Sequence, residues 1–93
     1  MKSYIISYDL IGVESNLSYL KLIKEIKKNY KFWAKPLKSF FIVKSEKSVS
    51  QIRDELKNIL DDDDKLIVMA ISSEWATTRI PVEITDWMKR NIL

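Results

Sequence analysis

The chain of 93 residues contains neither cysteine nor histidine. Without cysteine it forms no disulfide and no thiolate zinc site, and without histidine the usual nucleophilic triads are also excluded. The remaining chemistry is that of carboxylates with an oxygen-preferring metal such as Mg²⁺ or Mn²⁺, or binding without catalysis.

Long apolar runs are absent as well. No stretch approaches the ~20 residues of a membrane helix, and the first residues lack the basic region, apolar core and cleavage site of a signal peptide. We therefore expect a cytoplasmic protein with no membrane partner. A composition of 46% hydrophobic and 31% charged residues is typical of a globular chain, and the length suits a single domain.

Negative charge is scarce through the middle of the chain. Residues 21–47 contain nine lysines but only two acids, Glu25 and Glu46, whereas "LDDDDK" gathers four carboxylates at positions 61–64. Nucleic acid would be attracted to the first region and repelled by the second. The aspartates oppose the dipole of a preceding helix, which predicts a solvated exit turn.

In the N-terminal half, Tyr4, Ile6 and Tyr8 alternate along a predicted strand over residues 2–9, and Gly12 marks a turn. Apolar residues at helical spacing predict an amphipathic helix over residues 16–30, whose other side carries a stripe of four lysines: Lys21, Lys24, Lys28 and Lys31. Two further strands, at 30–35 and 37–44, are predicted to be separated by Pro36 in a tight hairpin or bulge.

In the C-terminal half, Ser48 and Gln51 form a predicted capping box. That helix has an expected buried face of Val49, Ile52, Leu56, Ile59 and Leu60. Residues 65–72 are apolar on both faces, which predicts a central strand. After an edge strand or extended arm, Pro81 begins a helix with Ile84, Trp87 and Met88 directed inward.

This order of elements predicts an α+β fold, a ferredoxin-like β-α-β-β-α-β sandwich with an added C-terminal segment and helix. We expect one domain, with the core in residues 1–72. Residues 73–93 form an arm and helix that pack on the core or on a partner subunit. Because one sheet face needs a cover, a homodimer is expected.

The motifs resemble a known family. Tyr8-Asp9 at the end of the first strand and "KPLKSFF" at residues 35–41 are similar to motifs of the small CRISPR-associated adaptation proteins, the partners of the CRISPR integrase. The likeness covers roughly residues 1–72. The chain also resembles the virulence-associated protein D ribonucleases and stand-alone bacterial relatives, some labelled SinR-like, which share "WAKPLKS" and an "EWA...TDW" tail.

The resemblance implies a ferredoxin-like homodimer in which the two strand-end aspartates face each other across the interface. Some members of the family are metal-dependent nucleases and others are non-catalytic adaptors. The implied cofactor, where there is one, is Mg²⁺ or Mn²⁺, and the implied activity is that of an endonuclease.

Asp9 is the candidate catalytic and metal-binding residue, with the second carboxylate supplied by the Asp9 of a second subunit. Alternatively, it caps the turn around Gly12. Glu14 is a candidate neighbour of Asp9, and Ser7 and Ser39 are candidate hydroxyl donors.

Five lysines are candidate nucleic-acid ligands: Lys21, Lys24, Lys28, Lys35 and Lys38. Phe32 and Trp33 add aromatic surface beside the last two. A hydrated helix face and an edge strand protected from aggregation are the alternatives.

Three functions therefore stay open. The first is a metal-dependent endonuclease, and the second is a non-catalytic adaptor that binds RNA, DNA or a protein partner. The third is a toxin-antitoxin or phage-related regulatory component that acts through its tryptophan-bearing tail.

Overall fold

The computed structural model describes residues 1–11 and 15–92. The described residues form a four-stranded antiparallel sheet and three helices, which confirms the expected α+β class. The elements, in chain order, are β1 (Lys2–Asp9), α1 (Ser15–Asn29), β2 (Phe32–Leu37), β3 (Phe40–Ser45), α2 (Val49–Lys57), β4 (Lys65–Ile71) and α3 (Val82–Asn91). The turn predicted at Gly12 and the candidate Glu14 lie outside the described residues.

The strand order is β2-β3-β1-β4, and all neighbouring strands are antiparallel. The central position predicted for β4 is wrong, because among the described residues β4 pairs with β1 alone and lies at the edge of the sheet. The two apolar faces of β4 therefore do not reflect burial on both sides. Leu66 and Val68 pack into the main core, while Ile67 and Met69 point to the opposite face and are 54% and 51% exposed.

Helices α1 and α2 cover one face of the sheet. Their apolar residues meet the alternate residues of β1 and β3 in a core that includes Ile6, Phe41, Leu22, Ile52 and Leu56. The capping box is confirmed, since the Gln51 backbone N–H donates to the Ser48 hydroxyl and the Ser48 N–H donates to the Gln51 side chain. Val49 is exposed rather than buried, because it occupies the first turn of α2.

The second β region differs from the prediction in where it divides. Pro36 lies inside β2, and the chain reverses at Lys38 and Ser39. A register shift between Ala34 and Leu37 marks the expected bulge. Proline is tolerated there because β2 is an edge strand and the bulge already interrupts its ladder.

Helix α3 covers part of the opposite face. Met88 and Ile92 are buried with Ile42 of β3, and Trp75 and Trp87 pack around them. The Ser3 hydroxyl donates to the Asn91 carbonyl at 3.2 Å and joins the end of α3 to the start of β1. Residues 72–81 form no edge strand and connect β4 to α3 without regular secondary structure.

The four aspartates lie in the exit turn that precedes β4, as expected. Asp64 has a structural role that the sequence did not indicate. Its carboxylate accepts the backbone N–H of Asp61 at 2.8 Å and that of Ile11 at 3.0 Å. The turn is thereby attached to the segment that follows β1. Among the described residues, no helix is both long and apolar enough to cross a membrane.

Candidate functional site

Helix α1 presents its lysines outward. Leu22 and Ile26 are buried beneath the helix, so the helical period turns Lys21, Lys24 and Lys28 away from the core, and all three are exposed. Three of the four lysines of the predicted basic stripe therefore lie on the outer surface of α1, where phosphate groups could reach them. The placement of Lys31 on the helix is wrong, because α1 ends at Asn29.

Lys35 and Lys38 lie at the tip of the β2–β3 hairpin, and they differ in environment. Lys38 is exposed, whereas Lys35 is half-buried. The Lys35 Nζ donates to the carbonyls of Leu37 at 3.2 Å and Lys38 at 2.6 Å, and it lies 5.9 Å from the centre of the Phe41 ring. Lys35 thus fixes the hairpin tip as well as contributing charge.

Positive charges crowd around this tip. Burial lowers the pKa of Lys35, and the charges of Lys27 and Lys38 lower it further. An anion placed among these three lysines would relieve their mutual repulsion.

Lys27 is a basic residue near this site that was not predicted. Its Nζ lies 4.7 Å from the centre of the Trp33 ring, and that of Lys31 lies 5.6 Å from the Phe32 ring. The contact between Lys27 and Trp33 connects α1 to β2. Lys31 and Phe32, by contrast, are neighbours in sequence at the start of β2. The signal available was the position of Lys27 four residues after Ile23, on the border of the apolar face of α1.

A groove of about 610 Å³ separates α1 from the hairpin tip. It was not predicted. Its α1 side consists of Tyr19, Leu20 and Ile23, and its hairpin side consists of Lys35, Lys38 and Ser39. One signal was present in the sequence, because Leu17 and Leu20 are apolar but lie outside the buried face, and they are 67% and 64% exposed.

Tyr8 and Asp9 are adjacent in sequence but lie on opposite faces of the sheet. Tyr8 is buried among the helices, with its ring centre 5.8 Å from that of Tyr19 and 6.5 Å from that of Phe41. Burial, with a smaller contribution from Tyr19, raises the pKa of Tyr8 to about 12. Tyr8 is therefore a neutral core residue rather than part of a carboxylate site.

Asp9 is exposed at the end of β1, on the face away from α1 and α2. It pairs across the strands with Lys65, and with Ser7 and Ile67 it lines a depression of about 300 Å³. The Ser7 hydroxyl donates to the Ser39 carbonyl at 3.3 Å.

The described part of one chain does not form a cluster of metal ligands at Asp9. Within residues 1–11 and 15–92, no group of three or more acidic side chains is arranged to hold a metal. The neighbouring Lys65 also places a positive charge on the same strand pair. The described residues of one chain therefore do not supply a cluster of acidic ligands for a metal at Asp9.

The sheet face that carries Asp9 is only half covered. Cross-strand pairing places Ile5 beside Met69 and Ser7 beside Ile67, and Ile67 and Met69 are about half exposed. Helix α3 covers the other half of this face through Ile42. The tail tryptophans therefore contact the sheet, whereas apolar surface over β1 and β4 stays open.

Comparisons of the chain with models of protein families, with curated proteins and with solved structures find no match.

Proposed function

We propose that this chain is a nucleic-acid-associated protein that acts as a homodimer and binds phosphates through the lysines of α1 and the β2–β3 hairpin. The observation that carries the proposal is the segregation of charge. Exposed lysines occupy the outer surface of α1 and the hairpin at the β2 edge, while the four aspartates precede β4 at the opposite edge. Phosphate contacts of this kind give sequence-independent affinity for RNA or DNA.

A ferredoxin-like fold is part of this proposal. The strand order β2-β3-β1-β4, with a helix between β1 and β2 and another between β3 and β4, supports it. The same order supports the likeness to the CRISPR adaptation proteins. In this chain α3 covers half of the face that carries Asp9, so a second subunit would meet the remaining half.

The dimer is supported by the open apolar surface over β1 and β4. Two copies related by a two-fold axis would bury Ile67 and Met69 against each other. The same contact would bring the two Asp9 carboxylates toward one another. A shared Mg²⁺ or Mn²⁺ site, and with it a metal-dependent endonuclease, is the second candidate function.

A non-catalytic adaptor that binds RNA, DNA or a protein partner is the alternative to the nuclease. The lack of an acidic cluster around Asp9 among the described residues favours it. A toxin-antitoxin or phage-related regulatory role through the tail has less support, because Trp75 and Trp87 are packed against the sheet.

Salt-dependent binding tests the phosphate contacts. We would measure the affinity for a single-stranded oligonucleotide between about 50 and 200 mM salt, where each phosphate contact contributes about 0.7 to the logarithmic slope. Replacing Lys21, Lys24 and Lys28 with glutamine should lower the slope by about 2. The matched control replaces Lys57, Lys89 and Arg90, which removes three charges elsewhere and should leave the slope unchanged. Equal losses in both variants, or binding that is independent of salt, would contradict the proposal.

Calorimetry with Mn²⁺ tests the shared metal site. Binding of one metal per two chains that is lost in Asp9→Asn would support the site, and nuclease activity that is lost in Asp9→Ala would support catalysis. No heat of binding in either protein would leave the adaptor as the preferred function.

A further inference from the structure

We propose that the groove between α1 and the β2–β3 hairpin binds one unpaired nucleotide, with its base against Tyr19, Leu20 and Ile23 and its phosphate between Lys35 and Lys38. This inference rests on the proposed function, because it specifies which form of nucleic acid the basic surface accepts. It implies that the protein prefers single strands to duplexes.

The two walls of the groove have the chemistry that a nucleotide requires. The α1 wall is apolar and aromatic, and the hairpin wall consists of two lysines and a serine. A volume of about 610 Å³ falls within the ~300–1,000 Å³ of sites that bind small molecules. A purely apolar ligand would leave the lysines unpaired, and a bare phosphate would leave the apolar wall unused.

The aromatic wall is fixed before any ligand arrives. The Tyr19 hydroxyl oxygen accepts the Leu10 backbone N–H at 3.1 Å, and the ring packs against Tyr8. Holding the ring in place removes the entropy cost of ordering it during binding. Leu20 beside it is 64% exposed, so a base has apolar surface to cover.

The cationic wall is also held in place and lacks a full set of partners. An ammonium group has three N–H donors, and the two hairpin carbonyls take two donors of Lys35. The ion pairs found in the described part of the chain involve Glu46, Glu55 and Asp54, and none includes Lys35 or Lys38. A phosphate oxygen would therefore meet a free donor in a region of crowded positive charge.

Unpaired nucleotides fit this groove better than paired ones do. In a duplex, neighbouring bases cover both faces of each base. A base can therefore contact the apolar wall of the groove only when it leaves the stack. The phosphates of a duplex can still reach the outer lysines of α1. Duplex binding should therefore depend on Lys21, Lys24 and Lys28 but not on Leu20.

The experiment is an NMR titration of the full chain, labelled at backbone amides and at leucine and isoleucine methyl groups. The probes are adenosine 5′-monophosphate, adenosine and inorganic phosphate. We expect the nucleotide to shift the methyl signals of Leu20 and Ile23 and the amides of Lys38 and Ser39. Phosphate alone should shift only the hairpin amides. Absence of shifts from the nucleotide at the groove would overturn the inference.

Two matched pairs of variants sharpen the test. Leu20→Ala should weaken binding of the nucleotide roughly fivefold but leave phosphate binding unchanged, while Leu17→Ala, equally exposed on the same helix, should change neither. Lys38→Gln should weaken both ligands, whereas Lys57→Gln on α2 should weaken neither. Equal effects of Leu17→Ala and Leu20→Ala would contradict a site in the groove.

Failure of this inference can be told apart from failure of the proposed function. If oligonucleotides bind with the expected salt dependence but the nucleotide does not shift the groove, the groove is not a nucleotide site and the basic surface remains. If Leu20→Ala weakens a single-stranded oligonucleotide but not a duplex of the same length, the preference for single strands is supported. Equal losses for both forms would contradict that preference.

Discussion

Tyr30→Phe should make the protein more stable. Tyr30 is buried at the end of α1, and its hydroxyl has no hydrogen-bond partner among the described residues. Burying an unsatisfied polar group costs about 1–3 kcal/mol. Phenylalanine keeps the ring, which lies 5.3 Å from the Lys47 Nζ, and removes only the oxygen. Because the small void that remains offsets part of the gain, we expect the free energy of unfolding to rise by about 1 kcal/mol.

The difference between the two proteins should grow at high pH. Burial raises the pKa of Tyr30, and the charge of Glu55 raises it further. The hydroxyl therefore stays protonated in the folded state while it ionises near pH 10 in the unfolded state. The stability of wild type at neutral pH is therefore retained below about pH 10. Above it, ionisation of the hydroxyl in the unfolded state lowers the free energy of unfolding, until the pH reaches the pKa of the folded state. From pH 9 to pH 11, wild type should lose about 1 kcal/mol more than Tyr30→Phe.

Urea denaturation, followed by tryptophan fluorescence at pH 7 and at pH 11, measures both effects. Tyr4→Phe is the matched control, because the Tyr4 hydroxyl donates to the Lys47 carbonyl at 2.6 Å and its loss should destabilise the protein by about 1 kcal/mol. If Tyr30→Phe were destabilising to the same degree as Tyr4→Phe, the Tyr30 hydroxyl would have a partner and the reasoning would be refuted.

Three further predictions concern stability and assembly. Asp64→Ala should lower the free energy of unfolding by about 1–3 kcal/mol, because two backbone N–H groups lose the carboxylate that accepts them. Asp62→Ala, exposed in the same turn, should change the free energy of unfolding little in the same urea assay. Leu56→Ala should cost about 2–5 kcal/mol, because Leu56 is fully buried. Ile67→Arg should convert a dimer to a monomer in sedimentation equilibrium, while Val82→Arg, at an exposed apolar position on α3, should not; a dimer retained in Ile67→Arg would place the interface elsewhere.

Elements with a strong period were predictable from the sequence. The helix expected over residues 16–30 is α1, Ser15–Asn29, and the Ser48–Gln51 capping box begins α2 as expected. In these segments the local pattern and the tertiary packing require the same conformation. The exposure of Lys21, Lys24 and Lys28 follows from that same helical period.

Features that depend on neighbouring elements were not predictable. The two apolar faces of β4 indicated a central strand. An edge strand can also be apolar on both faces when one face is left exposed, so the position of β4 depends on its pairing with β1. Pro36 indicated a break between strands, although an edge strand with a bulge accommodates it. The groove arises because α1 and the hairpin tip meet in space, and no local pattern encodes the distance between Leu20 and Lys38.

The proposed role of Asp9 as a metal ligand also depends on a contact outside one chain. Its position at the end of β1 was predictable from the strand pattern. Its neighbours were not, because pairing with β4 places Lys65 rather than a carboxylate beside it. The proposed metal site at Asp9 therefore depends on a contact between two copies, which the sequence of one chain does not describe.

An amide chemical-shift map of the labelled protein with a single-stranded oligonucleotide tests the central claim most directly. The proposed function predicts shifts along α1 and the β2–β3 hairpin, centred on Lys21, Lys24, Lys28, Lys35 and Lys38. It also predicts that residues 61–64 and α3 stay unchanged. Shifts confined to α3 or the aspartate turn, or no shifts at a concentration where the oligonucleotide is bound, would contradict it.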